Sequence, residues 1–219
     1  MTRSVFAGDP LARRPAPGFV TGTSSEYLGK RPLRRIVAER PIVFILGPRG
    51  SGKSAVARRL GGADTVRGTL VLDAVSFQDE VVRRTRLGHW SERVLETPGL
   101  VVDGLQLLPA RPLALTLLRE LLSMRCGSRR RTVVCEQVAD GSAAALMDSV
   151  PNGCLATIGL RVPESRSGRM RFARRCCDEL GLPRSEASGT DSLDPWCYSA
   201  VIVALRERRD RQAEAASSL

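Results

Sequence analysis

Residues 47 to 54 read Gly-Pro-Arg-Gly-Ser-Gly-Lys-Ser, a match to the phosphate-binding pattern GxxxxGK[ST], and they follow directly on the apolar run Ile42-Val43-Phe44-Ile45-Leu46. That order restricts the chain to few folds. A buried strand delivers a glycine-rich turn, and a helix starting near Lys53 points the positive end of its dipole at the place where the turn's amides converge. In such a loop Gly47, Pro48, Arg49, Gly50, Ser51 and Gly52 shape the cradle. The Lys53 ammonium neutralises β- and γ-phosphate oxygens, and the Ser54 hydroxyl holds Mg²⁺. The implied cofactors are ATP or ADP with Mg²⁺. Of 34 basic residues only Lys30 and Lys53 are lysines, so the loop keeps a compact ammonium where a planar guanidinium would not fit between phosphates.

The remainder of the chain alternates strand-like and helix-like segments. A short helix is expected from Leu28 to Glu39, then strands at Pro41–Leu46, Thr69–Val75, Gly99–Asp103, Thr132–Cys135 and Leu155–Val162. Helices are expected between them at Lys53–Leu60, Gln78–Glu96, Leu113–Met124 and Ala143–Asp148. This alternation predicts an α/β fold: a five-stranded parallel sheet with helices on both faces, the three-layer arrangement of P-loop NTPases. Two helices close the chain, Glu164–Leu180 and one capped by Asp194 with Pro195 in its first turn, running to about Ala213. A polar linker, Pro183–Ser192, is expected between them. The expected domains are an arm over 1–18, a nucleotide-binding domain over 19–163 and a short helical lid over 164–219.

Formal net charge is +11, and the arginines cluster at Arg31/34/35, Arg83/84/86, Arg129/130/131, Arg166/169/171/174/175 and Arg206/208/209/211. Such a surface favours acidic protein partners or the DNA backbone. It is equally what the solvated faces of helices look like in an arginine-biased chain, and no aromatic residues are interleaved to stack on bases. No apolar run is long enough to span a bilayer and no leader pattern is seen, so the expectation is a cytoplasmic chain without a membrane partner. The six cysteines contain no C-x-x-C pair and are expected to be reduced core thiols.

Mg²⁺ at a phosphate loop needs a carboxylate at the end of a neighbouring strand, and Gly99-Leu100-Val101-Val102-Asp103 ends in one. Asp103 is the second metal-site candidate beside Ser54. ATPases commonly place another acid next to it to activate water, and here that residue is Gly104.

Several strings resemble the AAA+ domain of the DnaA/Hda family. Phe19-Val20-Thr21-Gly22-Thr23-Ser24 is similar to the segment entering that family's base pocket, Ser76-Phe77 through Trp90 to its helix after strand two, Val102-Asp103-Gly104-Leu105-Gln106 to its Walker B strand, and Leu182-Pro183 to the end of its first lid helix. The resemblance covers roughly 19 to 183. It implies an AAA+-like fold with a truncated lid, Phe19 and Val20 against the adenine, and Glu136 or Gln137 in the sensor-1 place. Arg206, Arg208 and Arg209 are weak candidates for sensor 2. It also exposes departures: Gly104 lacks the second acid, residues 137–160 carry no Lys or Arg where the arginine finger would fall, and no helix-turn-helix follows. The implied function is a nucleotide-dependent switch or adaptor with weak or no hydrolysis, associated with DNA or with replication or regulatory proteins. It would be a monomer or a dimer not driven by ATP. A small P-loop kinase, with Asp73 orienting an acceptor hydroxyl and Arg166 or Arg169 as lid arginines, is the competing reading. A scaffold with a vestigial loop is a third.

Overall fold

A computed structural model describes residues 19–23, 39–62, 68–107, 111–137, 142–151, 153–193 and 197–217. The expected arm over 1–18, nearly all of the helix expected over 28–39, the arginines at 31, 34 and 35, and Asp194 with Pro195 lie outside these residues.

All five expected strands form, and a sixth joins them. In chain order they are β1 (Phe19–Thr23), β2 (Ile42–Leu46), β3 (Thr69–Leu72), β4 (Gly99–Asp103), β5 (Arg131–Glu136) and β6 (Leu155–Arg161). They make one all-parallel sheet in the order β1-β6-β2-β5-β4-β3. The phosphate-loop strand β2 is therefore central. β2 is buried at every position, as a strand covered on both faces should be.

Helices cover both faces. Helix α1 (Lys53–Gly61) packs Val56 and Ala57 against Val43, Ile45, Val101, Val133, Cys135 and Ile158. The opposite face of the same strands, including Phe44, Leu46, Val102 and Val134, is covered by α2 (Ala74–Leu87), α3 (Glu92–Glu96), α4 (Arg111–Gly127) and α5 (Ser142–Met147). A separate small core joins α6 (Arg166–Leu180) to a 3₁₀ segment (Arg184–Thr190) and to α7 (Tyr198–Ser217) through Ala173, Cys177, Leu182, Ala187, Tyr198, Val201 and Leu205.

The differences from the sequence reading have local causes. The helix expected over Gln78–Glu96 is two helices, because Gly88 caps α2 in the left-handed region at φ 77°. Trp90 then turns into the core, its ring centroid 6.0 Å from that of Phe77. Strand β3 stops at Leu72 because Asp73 caps α2, its side chain accepting from the Ser76 amide at 2.8 Å. The expected linker over 183–192 is mostly the 3₁₀ segment, with Ala187 and Thr190 buried. The reduced state expected of all six cysteines is overturned at two: Cys126 at the end of α4 and Cys154 just before β6 form a disulfide, with Cα atoms 6.3 Å apart.

Arg125 is the deepest charge described. It is fully buried and donates from Nε to Thr132 Oγ1, from Nη1 to the carbonyls of Val94 and Leu95, and from Nη2 to those of Thr97 and Arg131. Burial pushes its pKa down to about 10, which still leaves it charged at neutral pH. It thereby ties the end of α3 to the start of β5.

Candidate nucleotide-binding site

The loop after β2 has the geometry its sequence predicts. Gly50 and Gly52 sit in the left-handed region at φ 75° and 84°, where a β-carbon is strained. Gly47 is required for another reason: a Cβ there would lie 2.7 Å from both the Leu160 carbonyl oxygen and Ser51 Oγ. The loop is thus pressed against β6 with no room to spare. Gly52 caps α1 without a side-chain cap, leaving the first amides of the helix available to an anion. Ser51 is fully buried and its Oγ has no hydrogen-bond partner. Pro48, Arg49 and Ser54 face solvent.

Lys53 folds over this turn. Its Nζ donates to the carbonyls of Gly47 and Pro48 at 2.8 and 2.7 Å. Burial pulls the Lys53 pKa below its ordinary 10.5, with the neighbouring Cys135 and Asp103 acting in the opposite direction. A phosphate at the loop would push it back up, so the site is electrostatically tuned to gain from an anion.

Register brings the acid to the loop. Cys135 of β5 lies opposite Ile45 of β2 on one side and Asp103 of β4 on the other. Two inter-strand steps of about 4.8 Å therefore separate Asp103 from the loop strand. Val101 packs on the α1 face, and strand alternation returns Asp103 to that face. Cys135 forms the floor between them: its Sγ donates to the Lys53 carbonyl at 3.9 Å. Burial first, and the Asp103 charge second, push its thiol well above the usual range, so it stays protonated. Sequence reasoning missed Cys135, because only the strand order reveals that it lies between the two motifs.

The two sensor-1 candidates part company. Glu136 is the last residue of β5, buried, and opposite Leu46. It follows Val134 onto the face away from α1. Gln137 follows Cys135 onto the loop's face, and its amide donates to Gln106 Oε1 at 3.3 Å. Gly104 turns left-handed at φ 82° directly after Asp103. The position therefore lacks a carboxylate and also bends the chain away from strand geometry.

Other expectations fare differently. Phe19 and Val20 form an edge strand paired with Thr157 and Ile158 of β6, and their side chains lie outside the described part. Among the sensor-2 candidates, Arg208 bonds the Glu186 and Gly189 carbonyls and pairs with Glu186, Arg209 pairs with Asp210, and Arg206 is exposed. A contact that no local signal predicted links lid and loop: the Tyr198 amide, at the start of α7, donates to the Gly50 carbonyl at 2.9 Å. Asp73 is committed to capping α2 and sits on the far edge strand, three strands from the loop. Arg166 pairs with Asp191, and Arg169 donates to the Pro163 carbonyl.

No protein-family model matches the sequence, and no curated protein matches it. Solved structures do. The chain is similar to domain III of the Thermotoga maritima replication initiation protein DnaA at TM-score 0.68 and 14 % identity, over 92 % of this chain and 90 % of that one. It is similar to AMPPCP-bound DnaA from Aquifex aeolicus at TM-score 0.59 and 13 % identity, over 90 % and 69 %. A third likeness is to the replication initiator DnaA bound to AMPPCP and single-stranded DNA, at TM-score 0.54 and 14 % identity, over 69 % of this chain and half of that one. The fold is accordingly that of a DnaA-like P-loop AAA+ domain. At such identities the likeness is one of fold. Among the described residues no helix is long and apolar enough to cross a membrane, and no His, Cys, Asp or Glu cluster would hold a metal by itself.

Proposed function

We propose that this chain is a nucleotide-binding switch or adaptor: it holds ATP or ADP at the 47–54 loop, turns it over slowly or not at all, and reports the bound state through its lid. The observation that carries the reading is the convergence of Lys53, Asp103 and Cys135 under a loop whose glycines fit only a close backbone approach. The AMPPCP in two of the similar structures supports a nucleotide. Ser54 and Asp103 are the residues that would hold Mg²⁺, which when bound supplies charge neutralisation to the β- and γ-phosphates. Lys53 contributes the fixed positive charge on the protein side, and the loop amides orient the phosphates.

Slow hydrolysis follows from what surrounds Asp103. With Gly104 in the next position and Glu136 on the face away from α1, neither of these positions puts a carboxylate among the described residues where it would accept a proton from water. Alternation favours Gln137 over Glu136 as the sensor-1 residue, where an amide can orient a phosphate or a water without acting as base. The kinase reading finds less support, since Asp73 is a helix cap beside the edge strand β3, three strands from β2.

Titration with fluorescent ATP, ADP and GTP alongside a steady-state phosphate-release assay tests this. Tight adenine-nucleotide binding with turnover far below the roughly 10 s⁻¹ of an ordinary enzyme is expected. Rapid turnover would sink the switch, and turnover only with an added small hydroxyl acceptor would establish the kinase.

A further inference from the structure

Among the described residues, several arginines of the other clusters are paired with acids. Arg83 lies by Glu80, Arg84 pairs with Glu120, Arg130 with Glu96, Arg208 with Glu186 and Arg209 with Asp210. Helix α6 groups three that are not: Arg171, Arg174 and Arg175 are exposed, Arg174 and Arg175 lie one turn beyond Arg171, and none has a hydrogen-bond or ion-pair partner among the described residues. Arg171 and Arg175, four residues apart, repel each other along the helix, while Asp178 and Glu179 stand four residues after Arg174 and Arg175.

The three arginines line an open groove of about 950 Å³ on the lid, together with Arg166, Arg184 and Asp178. The two walls are α6 and the 3₁₀ segment. Arg184 is held by Asp178 through two bonds at 2.8 and 2.9 Å, and Arg166 by Asp191. Their side chains are nevertheless 71 % and 82 % exposed, so an incoming anion can compete for both guanidiniums. None of the lining residues belongs to the phosphate loop.

We propose that this lid groove binds the phosphate backbone of duplex nucleic acid without reading its sequence. Length is compatible: from Arg166 to Arg175 the helix rises about 14 Å, about four base-pair steps along the duplex axis at about 3.4 Å each. Arginine presents a planar fork suited to phosphate oxygens. The lining contains no aromatic residue to stack an unpaired base, which disfavours a single strand. Met170 is its only apolar member, too little for the aromatic and apolar anchors of a protein interface. With no Asn or Gln in the lining, the groove offers no bidentate partner for adenine.

Fluorescence anisotropy with a labelled duplex of arbitrary sequence, run without nucleotide, tests the groove separately from the 47–54 loop. The triple variant Arg171→Ala/Arg174→Ala/Arg175→Ala should lose at least about tenfold in affinity, and its slope of log K against log salt should flatten by about 2 to 3. Arg83→Ala/Arg86→Ala/Arg93→Ala removes the same charge from α2 and α3, outside the groove, and should change affinity by less than about threefold, with thermal melts showing both variants folded. The triple lysine replacement of the same α6 positions should keep most of the salt slope, which preserves the test if the alanine variant does not fold. Four outcomes overturn the proposal: wild-type protein that does not bind the duplex, equal losses in the two alanine variants, tighter binding of a single strand, or displacement of the duplex by an oligoglutamate peptide as readily as by unlabelled duplex.

Discussion

Lys53→Ala separates the function of the phosphate loop from its architecture. In the folded protein the ammonium makes two hydrogen bonds, both to carbonyls of a solvent-accessible turn, so water can replace it there. Each such bond is worth about 0.5 to 1.5 kcal/mol net. Against their loss stands relief of the burial that lowers the lysine's pKa. The two effects have opposite signs, and the expected change in stability is less than about 1 kcal/mol, or about 2 to 4 °C in Tm for a chain of this size. Nucleotide binding has no such compensation. A charge-assisted contact to phosphate contributes about 1.5 to 3 kcal/mol, which corresponds to a loss of about tenfold to a hundredfold in affinity. Two readouts make this decisive. Fluorescent-ATP titration gives the affinity directly, and melting with saturating ATP should raise the wild-type Tm by several degrees, since ligand at about 100 times Kd adds about 2.7 kcal/mol. An affinity within about threefold of wild type would refute the site. A fall in Tm beyond about 10 °C in the nucleotide-free variant would show that the lysine is architectural.

Four further outcomes are expected. Arg125→Leu leaves four backbone carbonyls and the Thr132 hydroxyl without their donor, the Val94 carbonyl and the hydroxyl fully buried and the others partly so, and should cost about 3 to 5 kcal/mol; a calorimetric Tm within about 3 °C of wild type would contradict this. Gly104→Glu has room, the nearest atom to its Cβ being Leu107 Cδ1 at 3.6 Å, but φ 82° costs about 1 to 2 kcal/mol; a lower Tm without faster phosphate release is expected, and a rise in turnover would show that the backbone can straighten. Because burial depresses the Lys53 pKa and phosphate restores it, nucleotide affinity should be full below the depressed pKa and decline as pH rises through it, sooner than an ordinary lysine at about 10.4 would require; a flat profile up to that pH would remove the electrostatic argument. With no Lys or Arg between 137 and 160, size-exclusion with light scattering should give the same mass in ATP and ADP, and ATP-driven growth to ring or filament sizes would show that another arginine serves as a finger.

What was legible in the sequence was local. The Gly47–Ser54 motif fixes a strand, a turn and a helix by short-range sterics and dipole alignment, and all three are where the spacing puts them. Asp103 was legible because an apolar run that ends in an acid marks both the strand and its exit. Pairing across the sheet was not, because register depends on contacts far apart in sequence. No strand is expected at Phe19–Thr23 from the sequence, and the segment becomes one by pairing along the edge of β6. Cys135 looks like any core thiol until β5 is placed between β2 and β4. The Cys126–Cys154 disulfide joins residues 28 apart, a pairing that spacing alone cannot assign. The break at Gly88 was misread for a different reason: the apolar pattern continues through Trp90, and the capping glycine outweighs it.

On the proposed reading, the Tyr198–Gly50 hydrogen bond is what would let the helices after the sheet respond to the phosphate loop. Gly50 lies inside the turn that must meet the phosphates, in the left-handed conformation, and its carbonyl is held by the first residue of α7. Tyr198 is in turn locked into the lid core, its ring 4.1 Å from that of Phe172 and nearly edge-on. Arg208, two to three turns further along α7, fastens the same helix to the Glu186 and Gly189 carbonyls of the 3₁₀ segment. Rotation of the peptide after Gly50 would therefore be transmitted to a helix braced at two points, and through the 3₁₀ segment to the arginine-lined wall of α6. A ligand shifts such an equilibrium only by its differential affinity for the two lid positions. The loop supplies that difference if ATP and ADP hold the Gly50 peptide differently. In that case the nucleotide state would be expressed at α6 and α7 with no need for hydrolysis, for which Gly104 offers no carboxylate, or for a neighbouring subunit's arginine, which the 137–160 stretch lacks.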